Sequence, residues 1–195
     1  HSQNPESSFA HIPGLKIVCP ATPEDAKGLL VTAIEDPNPV LYFEHKHLYR
    51  RLKADVPDDR YATPFGKARI HREGDDVSVI TWGAMVHTAD DAAKQLEGDG
   101  ISVEILDLRT LIPWDKQAVL ESVSKTSKAI VLHEDTHTGG FGGEIAATIA
   151  EEAFEDLDAP LKRITAPDTP VPFSPPLEKA FIPQVEDVAA GIKEL

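Results

Sequence analysis

Short apolar runs alternate with segments of helical periodicity from the start of the chain. Residues 15–19 form one apolar run and residues 40–43 another. Between them, apolar residues recur at helical spacing over 23–36, and Thr22 stands where a side chain can cap the first turn. This order predicts a parallel pair of strands joined by a crossover helix, with the second strand buried.

A second alternation follows a segment without periodicity. Residues 52–65 hold charges and two prolines and are typical of a linker. After it, the pattern predicts strands at 77–81, 101–106, 129–132 and 162–165, and helices at 84–96, 115–124, 143–157 and 183–195. We therefore predict an α/β fold with a mostly parallel, three-layer domain at 66–195. Residues 1–51 are expected to be the end of another α/β domain, because two strands and one helix cannot bury both faces.

Composition and charge exclude several function classes. The 195 residues carry a net charge of −14, and the hydrophobic share of 41% supports an ordered core. Such acidity without a basic cluster argues against nucleic-acid binding and against an anionic membrane surface. No apolar run approaches the about 18 residues of a membrane span. The single cysteine, Cys19, excludes an intrachain disulfide and a multi-cysteine zinc site. A reducing, intracellular location fits this cysteine usage.

Three motifs resemble known functional motifs, but the residues around each of them argue against that function. His133-Glu134-Asp135-Thr136-His137 matches a zinc-protease pattern, but it follows an apolar strand and precedes the glycines of 139–143, so we interpret it as a strand-end loop. Those glycines lack a phosphate-loop lysine, so tight packing of loop against helix is the better interpretation. Gly98-Asp99-Gly100 is interpreted as a helix-stop turn, and Cys19 as a buried, unreactive thiol. Among the scattered histidines, His1 and His11 stand out because they lie in loops before a strand.

Several colinear segments resemble the beta subunit of thiamine-dependent 2-oxo acid dehydrogenases. The matching residues are His1-Ser2-Gln3, Phe9-Ala10-His11, Pro13-Gly14-Leu15-Lys16, Glu44-His45-Lys46, Leu48-Tyr49-Arg50, Thr81-Trp82-Gly83, residues 107–115, His133-Glu134 and residues 138–141. The pattern is most similar to the branched-chain, 2-oxoisovalerate type, with pyruvate and acetoin enzymes as alternatives. A stand-alone transketolase or deoxyxylulose-type synthase is a further, less similar alternative.

The resemblance implies a fold, a cofactor and a catalytic residue. Residues 1–51 would be the C-terminal part of a pyrimidine-binding domain, and 66–195 a transketolase C-terminal domain. Since the chain opens at His1 without a methionine, we expect it to begin inside the first domain. Thiamine diphosphate and Mg²⁺ would be held mainly by upstream residues and by the alpha subunit, so no cofactor-binding residue is assigned here. His1 matches the family's active-site histidine, whose implied role is proton transfer during decarboxylation and acyl transfer.

The same resemblance implies a structural potassium site. Its ligands would be oxygens of Ala33, Asp36 and Asn38, just after the predicted helix 23–36. The last turn of a helix leaves carbonyls without helical partners, and hard cations prefer oxygen ligands. The alternative is that these residues form a turn that simply ends the helix.

The implied partners are an alpha subunit, a second beta subunit, and the peripheral subunit-binding and lipoyl domains of an acyltransferase core. Eight acidic residues of the C-terminal half suit a basic partner, although an ordinary solvated surface is an equal alternative. They are Glu151, Glu152, Glu155, Asp156, Asp158, Glu186, Asp187 and Glu194. We expect no catalysis from the isolated chain, which could then act only as a docking module. The location would be cytoplasmic, or the mitochondrial matrix in a eukaryote.

Overall fold

The structure is a computed structural model and describes residues 3–195. Its helices are α1 (Glu6–Ala10), α2 (Pro23–Glu35), α3 (Met85–Leu96), α4 (Lys116–Thr126), α5 (Gly142–Glu152), α6 (Pro175–Phe181) and α7 (Val185–Lys193). Its strands are β1 (Lys16–Val18), β2 (Val40–Tyr42), β3 (Arg69–Arg72), β4 (Val77–Thr81), β5 (Val103–Asp107), β6 (Thr110–Ile112), β7 (Ala129–Thr136) and β8 (Lys162–Ala166). Short 3₁₀ turns follow at Lys46–Arg50, Glu97–Asp99 and Phe154–Asp156.

A small sheet contains the first two strands, in the order β2-β1-β6. Strands β1 and β2 are parallel and are joined through α2, which confirms the predicted crossover unit. The side chain of Thr22 accepts a hydrogen bond from the backbone N–H of Asp25, so the predicted cap is also confirmed. The prediction that the second strand is buried is wrong. As the edge strand of this sheet, β2 is only half-buried along its length.

The larger sheet has five strands in the order β3-β5-β4-β7-β8. Strands β5, β4, β7 and β8 are parallel, and β3 lies antiparallel at one edge. On one face Val79, Ile105 and Ile130 pack with residues of α3 and α7. On the other face the sheet packs with Val119 of α4 and Ile145 of α5. Alternate strand residues therefore fill two helical layers, and the predicted three-layer α/β fold is confirmed.

Four elements were missing from the sequence-based assignment, and two others end several residues from the predicted position. The missing elements are α1, α6, β3 and β6. Helix α5 ends at Glu152, short of the predicted residue 157, because Ala153 leaves the helical conformation. Strand β7 continues to Thr136, since it still pairs with Ala166 of β8 there. The interpretation of His133 to Thr136 as a loop is therefore wrong.

Residues 52–65 contain neither helix nor strand and run along α2. The Lys27 ammonium donates to backbone carbonyls of this segment, including those of Asp58 and Asp59 at 3.1 and 3.0 Å. The backbone N–H of Thr63 donates to the Gly28 carbonyl at 3.0 Å. A Cβ at position 28 would lie 2.1 Å from Thr63 Oγ1, so only glycine allows this close approach. None of the helices within 3–195 has the length and apolar character required to cross a membrane.

Candidate functional site

The N-terminal segment lies across the carboxyl end of strand β7. The Asn4 amide donates to Glu134 Oε2 at 3.2 Å, and the Ser7 hydroxyl donates to Asp135 Oδ2 at 2.8 Å. Ligands of open α/β sheets bind at the carboxyl ends of the strands. This contact therefore marks the candidate site.

A cavity of about 450 Å³ opens between this segment and β7. Its walls come from the chain start, from the end of β7 and from the Pro-rich segment before α6. The lining residues are Gln3, Asn4, Pro5, Ser7, Ser8, Glu134, Asp135, Thr136, Thr138, Gly139, Thr169, Val171 and Phe181. Two of them are carboxylates, and none of those within the described part of the chain is basic. These residues do not fit a diphosphate, which needs cationic or N–H donors.

A buried carboxyl group, Glu6, lies under this cavity wall. It is 6% exposed, and the Trp82 side chain, just after β4, lies close to it. Burial raises the pKa of Glu6 to about 7, and the nearby Asp135 and Glu134 carboxylates add to the rise. Glu6 can therefore exchange a proton near neutral pH, which an ordinary glutamate cannot do.

His133 is buried beneath the glycine-rich loop. Its ring stacks on Trp82 with centroids 5.2 Å apart, and a Cβ at Gly142 would lie 2.4 Å from His133 Nε2. The glycines thus allow tight loop packing, as the sequence indicated. Burial lowers the pKa of His133 to about 4, so the ring is neutral at pH 7.

The zinc-protease interpretation is excluded by this geometry. His137 is bonded elsewhere, with its Nε2 atom 2.7 Å from the guanidinium of Arg163. His133 lies within β7 and His137 directly after it, so the two side chains do not share the face of a helix that the zinc-protease motif requires. Within residues 3–195, no three His, Cys, Asp or Glu side chains are grouped so that they could hold a metal ion.

His45 is a second histidine of the site, and sequence reasoning did not single it out. Its Nε2 atom lies 2.8 Å from Glu134 Oε2, and the ring is half-buried. Although burial disfavours the charged ring, the hydrogen bond and charge of Glu134 raise the pKa of His45. The two residues are 89 positions apart, so no local spacing could have paired them.

The predicted catalytic histidine, His1, lies outside the described residues, and its role stays a prediction. His11, the other loop histidine, borders a second cavity of about 630 Å³ together with Trp114. Cys19 is 3% exposed and burial raises the pKa of its thiol, which confirms that the thiol is buried, and its lack of reactivity stays a prediction. Gly100 adopts φ 75° at the end of a 3₁₀ turn, which confirms that Gly98-Asp99-Gly100 is a helix stop.

The predicted potassium ligands lie together at the C-terminal end of α2. Asp36 is the C-cap residue, and its carboxylate accepts from the Lys16 ammonium and from the backbone N–H of Asn38. The lysine is the main cause that lowers the pKa of Asp36. Because Pro37 has no N–H, the Ala33 carbonyl lacks its helical partner. Because the Asp36 carboxylate already accepts from Lys16 and Asn38, the backbone carbonyls of this turn fit a hard cation better. The potassium site itself stays a prediction.

A buried ionic cluster joins α2 to the larger sheet. Asp25 Oδ1 accepts from Arg109 at 3.0 Å, and Asp25 Oδ2 lies 3.0 Å from the Arg69 guanidinium. Arg69 also approaches Asp107 at 3.4 Å. Burial raises the pKa of Asp107 to about 7 despite this arginine. The cluster fixes α2 against the larger sheet.

Comparison with known proteins places this arrangement in a family. Residues 66–188 match the family described as transketolase, C-terminal domain, and residues 1–51 match transketolase, pyrimidine binding domain. The solved structure described as "Split gene transketolase, inactive beta4 tetramer" superposes with a TM-score of 0.79 over 96% of this chain and 59% of that chain. At 24% identity, this likeness concerns the fold alone.

Sequence comparison finds enzyme beta subunits. The chain is 52% identical to 2-oxoisovalerate dehydrogenase subunit beta of Bacillus subtilis, covering 100% of the chain and 60% of the relative. It is 48% identical to the acetoin:2,6-dichlorophenolindophenol oxidoreductase subunit beta of Cupriavidus necator, covering 100% and 57%. It is 46% identical to the pyruvate dehydrogenase E1 component subunit beta of Bacillus subtilis, covering 96% and 58%. The chain belongs to the transketolase C-terminal domain family, and it is similar in sequence to the beta subunits of 2-oxoisovalerate dehydrogenase.

Proposed function

We propose that the chain is part of the beta subunit of a thiamine diphosphate-dependent 2-oxo acid dehydrogenase, of the 2-oxoisovalerate type. The 52% identity over the whole chain carries the proposal. Pyruvate and acetoin enzymes are the alternatives, at 46% and 48% identity. Because the chain spans 57–60% of these relatives, the activity is proposed for a complete beta subunit assembled with an alpha subunit. The reaction is oxidative decarboxylation followed by reductive acylation of a lipoyl group.

The cofactor supplies the carbanion chemistry in such enzymes, and the protein orients the reactants and moves protons. We assign proton transfer to His1, since an imidazole titrates near neutral pH. The described residues that line the cavity include no cationic side chain for a diphosphate, and no three His, Cys, Asp or Glu side chains within 3–195 are grouped to hold a metal ion, so we assign the diphosphate and Mg²⁺ to other parts of the assembly. The proposed division is 1–51 for the pyrimidine-binding part, 52–65 for the linker and 66–195 for the C-terminal domain.

A potassium ion at Ala33, Asp36 and Asn38 is proposed as a structural element of the assembled enzyme. Its place at the end of α2 would hold the turn between α2 and β2. The expected test is the melting temperature of the assembled enzyme in KCl and in NaCl of equal ionic strength. A higher value in KCl supports the site, and equal values contradict it.

Docking of the acyltransferase core is proposed for the acidic surface. All eight acidic residues are exposed, but Glu152 pairs with Lys116 and Glu194 pairs with Lys162. The acidic group around the end of α5 and the group on α7 belong to helices on opposite faces of the sheet. Charge-reversal variants of each group, titrated with the peripheral subunit-binding domain at two salt concentrations, locate the contact. Binding that ignores both salt and the variants contradicts electrostatic docking.

The proposed activity is tested by a substrate panel on the assembled enzyme. We expect the highest kcat/KM for branched-chain 2-oxo acids, with thiamine diphosphate and Mg²⁺ present. A higher value for pyruvate or acetoin favours the respective alternative, and turnover of ketose phosphates alone contradicts the proposal. For a bacterial source we propose a cytoplasmic location, and for a eukaryotic source the mitochondrial matrix.

A further inference from the structure

One carboxylate oxygen connects three separate parts of the candidate site. Glu134 Oε2, at the carboxyl end of β7, lies 2.8 Å from His45 Nε2 and accepts from the Asn4 amide at 3.2 Å. His45 follows β2 and begins a 3₁₀ turn, and Asn4 belongs to the N-terminal segment. The Glu134 carboxylate therefore connects both the residue that follows β2 and the N-terminal segment to the carboxyl end of β7.

The N-terminal segment has a second attachment to the same strand. The Ser7 hydroxyl donates to Asp135 at 2.8 Å, one residue after Glu134. Residues 4–7 are thus held by two side-chain hydrogen bonds whose acceptors are adjacent on β7. The segment's backbone turn begins here, since the Ser8 N–H donates to the Pro5 carbonyl at 3.1 Å.

The charged groups around His45 come from three elements. Glu134 faces it from β7, Glu6 from α1, and His47 lies in its own 3₁₀ turn, with ring centroids 6.1 Å apart. Two carboxyl groups therefore lie near the His45 ring. This setting favours a charged His45 ring and a charge-assisted bond to Glu134, which is stronger than a neutral one.

We propose that His45 and Glu134 are positioning residues. Their bond orients the Glu134 carboxylate, which accepts from Asn4 and so holds the N-terminal segment that follows His1 in the sequence. The proposal rests on the proposed function for its catalytic consequence. Catalysis then depends on the protonation of His45, although His45 exchanges no proton with the substrate. When His45 loses its charge at higher pH, the bond weakens and the segment becomes less firmly placed.

The variants are made in the complete beta subunit assembled with the alpha subunit. We expect Glu134→Gln to lower kcat about 10-fold, since small misplacements of reacting groups are costly, with little change in KM. The alkaline limb of the kcat–pH profile should move to lower pH, because the carboxylate that favours charged His45 is gone. His45→Gln keeps an N–H donor but does not titrate, so the part of this limb that belongs to His45 should disappear.

Two further variants isolate the effect. Asn4→Ala removes only the last link, so it should lower kcat and should also remove the part of the alkaline limb that belongs to His45. His47→Gln is the matched control, since His47 is exposed and is not bonded to Glu134, and it should behave as the wild type.

Hydrogen exchange, followed by mass spectrometry, provides a readout that needs no turnover. Amides of residues 3–11 should exchange faster in Glu134→Gln and Asn4→Ala, and at the wild-type rate in His47→Gln. Unchanged exchange in Glu134→Gln, or an unchanged alkaline limb in His45→Gln, overturns the proposal. A wild-type enzyme inactive on every 2-oxo acid contradicts the proposed function instead, and the exchange result still decides whether the pair positions the segment.

Discussion

Asp25 holds α2 to the larger sheet, and we expect its replacement by alanine to destabilise the protein strongly. Its side chain is 3% exposed and accepts from Arg109, Arg69 and Thr22, each at 3.0 Å. Removing one partner of a buried ion pair costs about 3–5 kcal/mol, because the remaining charge is left without compensation. The two arginine side chains are 14% and 27% exposed, so water can recover part of this loss. We therefore expect Asp25→Ala to lower the free energy of unfolding by about 3 kcal/mol.

The assay is urea unfolding followed by tryptophan fluorescence, which reports on buried Trp82. The matched control is Glu24→Ala, one position earlier in the same first turn, where the side chain is exposed. It loses only the favourable interaction with the helix dipole, about 0.5 kcal/mol. Equal losses in the two variants, or a loss below about 1 kcal/mol for Asp25→Ala, would refute the role of the ionic cluster.

Four further predictions concern the packing and protonation of single groups and the isolated chain. Gly142→Ala should destabilise the protein by about 1–3 kcal/mol because its Cβ would meet His133, whereas Gly98→Ala, with no atom within 4 Å, should not; thermal melts of both variants decide this. Folding raises the pKa of Glu6 from 4.5 to about 7, so the folded state binds an extra proton and the protein loses stability as pH rises between these values. Over that interval the free energy of unfolding of Glu6→Gln, measured in urea titrations, should rise by up to about 3 kcal/mol relative to the wild type. Cys19 should resist a thiol reagent in the folded chain and react at once in urea, and early labelling of the folded chain would contradict its burial. The isolated chain, given thiamine diphosphate and Mg²⁺, should release no carbon dioxide from a 2-oxo acid.

The sequence predicts the buried strands well because their apolar runs are continuous. Strands β4 and β7 are core strands whose residues face helices on both sides of the sheet. Strand β3 was missed because Arg69, His71 and Arg72 give it no apolar run, and its edge position requires none. The polar end of β7 was missed for a related reason, since its strand geometry comes from pairing with β8.

The candidate site was less accessible to sequence reasoning. The resemblance indicates His1, but the contacts that build the site join residues far apart along the chain. Asn4 and Glu134 are 130 positions apart, and His45 and Glu134 are 89 apart. Only the fold of two sheets brings these side chains together. A histidine after one strand and a glutamate at the end of another were the available signal, and without the strand order they could not be paired.

Transfer of an acyl group to a lipoyl domain tests the proposed function most directly. The complete beta subunit, assembled with its alpha subunit, is incubated with 2-oxoisovalerate, thiamine diphosphate, Mg²⁺ and a lipoylated domain. The mass of the lipoylated domain is then measured by mass spectrometry. We expect the domain to gain an isobutyryl group, and the gain to disappear when His1 is replaced by alanine. An unmodified lipoyl domain, together with turnover of ketose phosphates, would contradict the assignment and place the chain with transketolases.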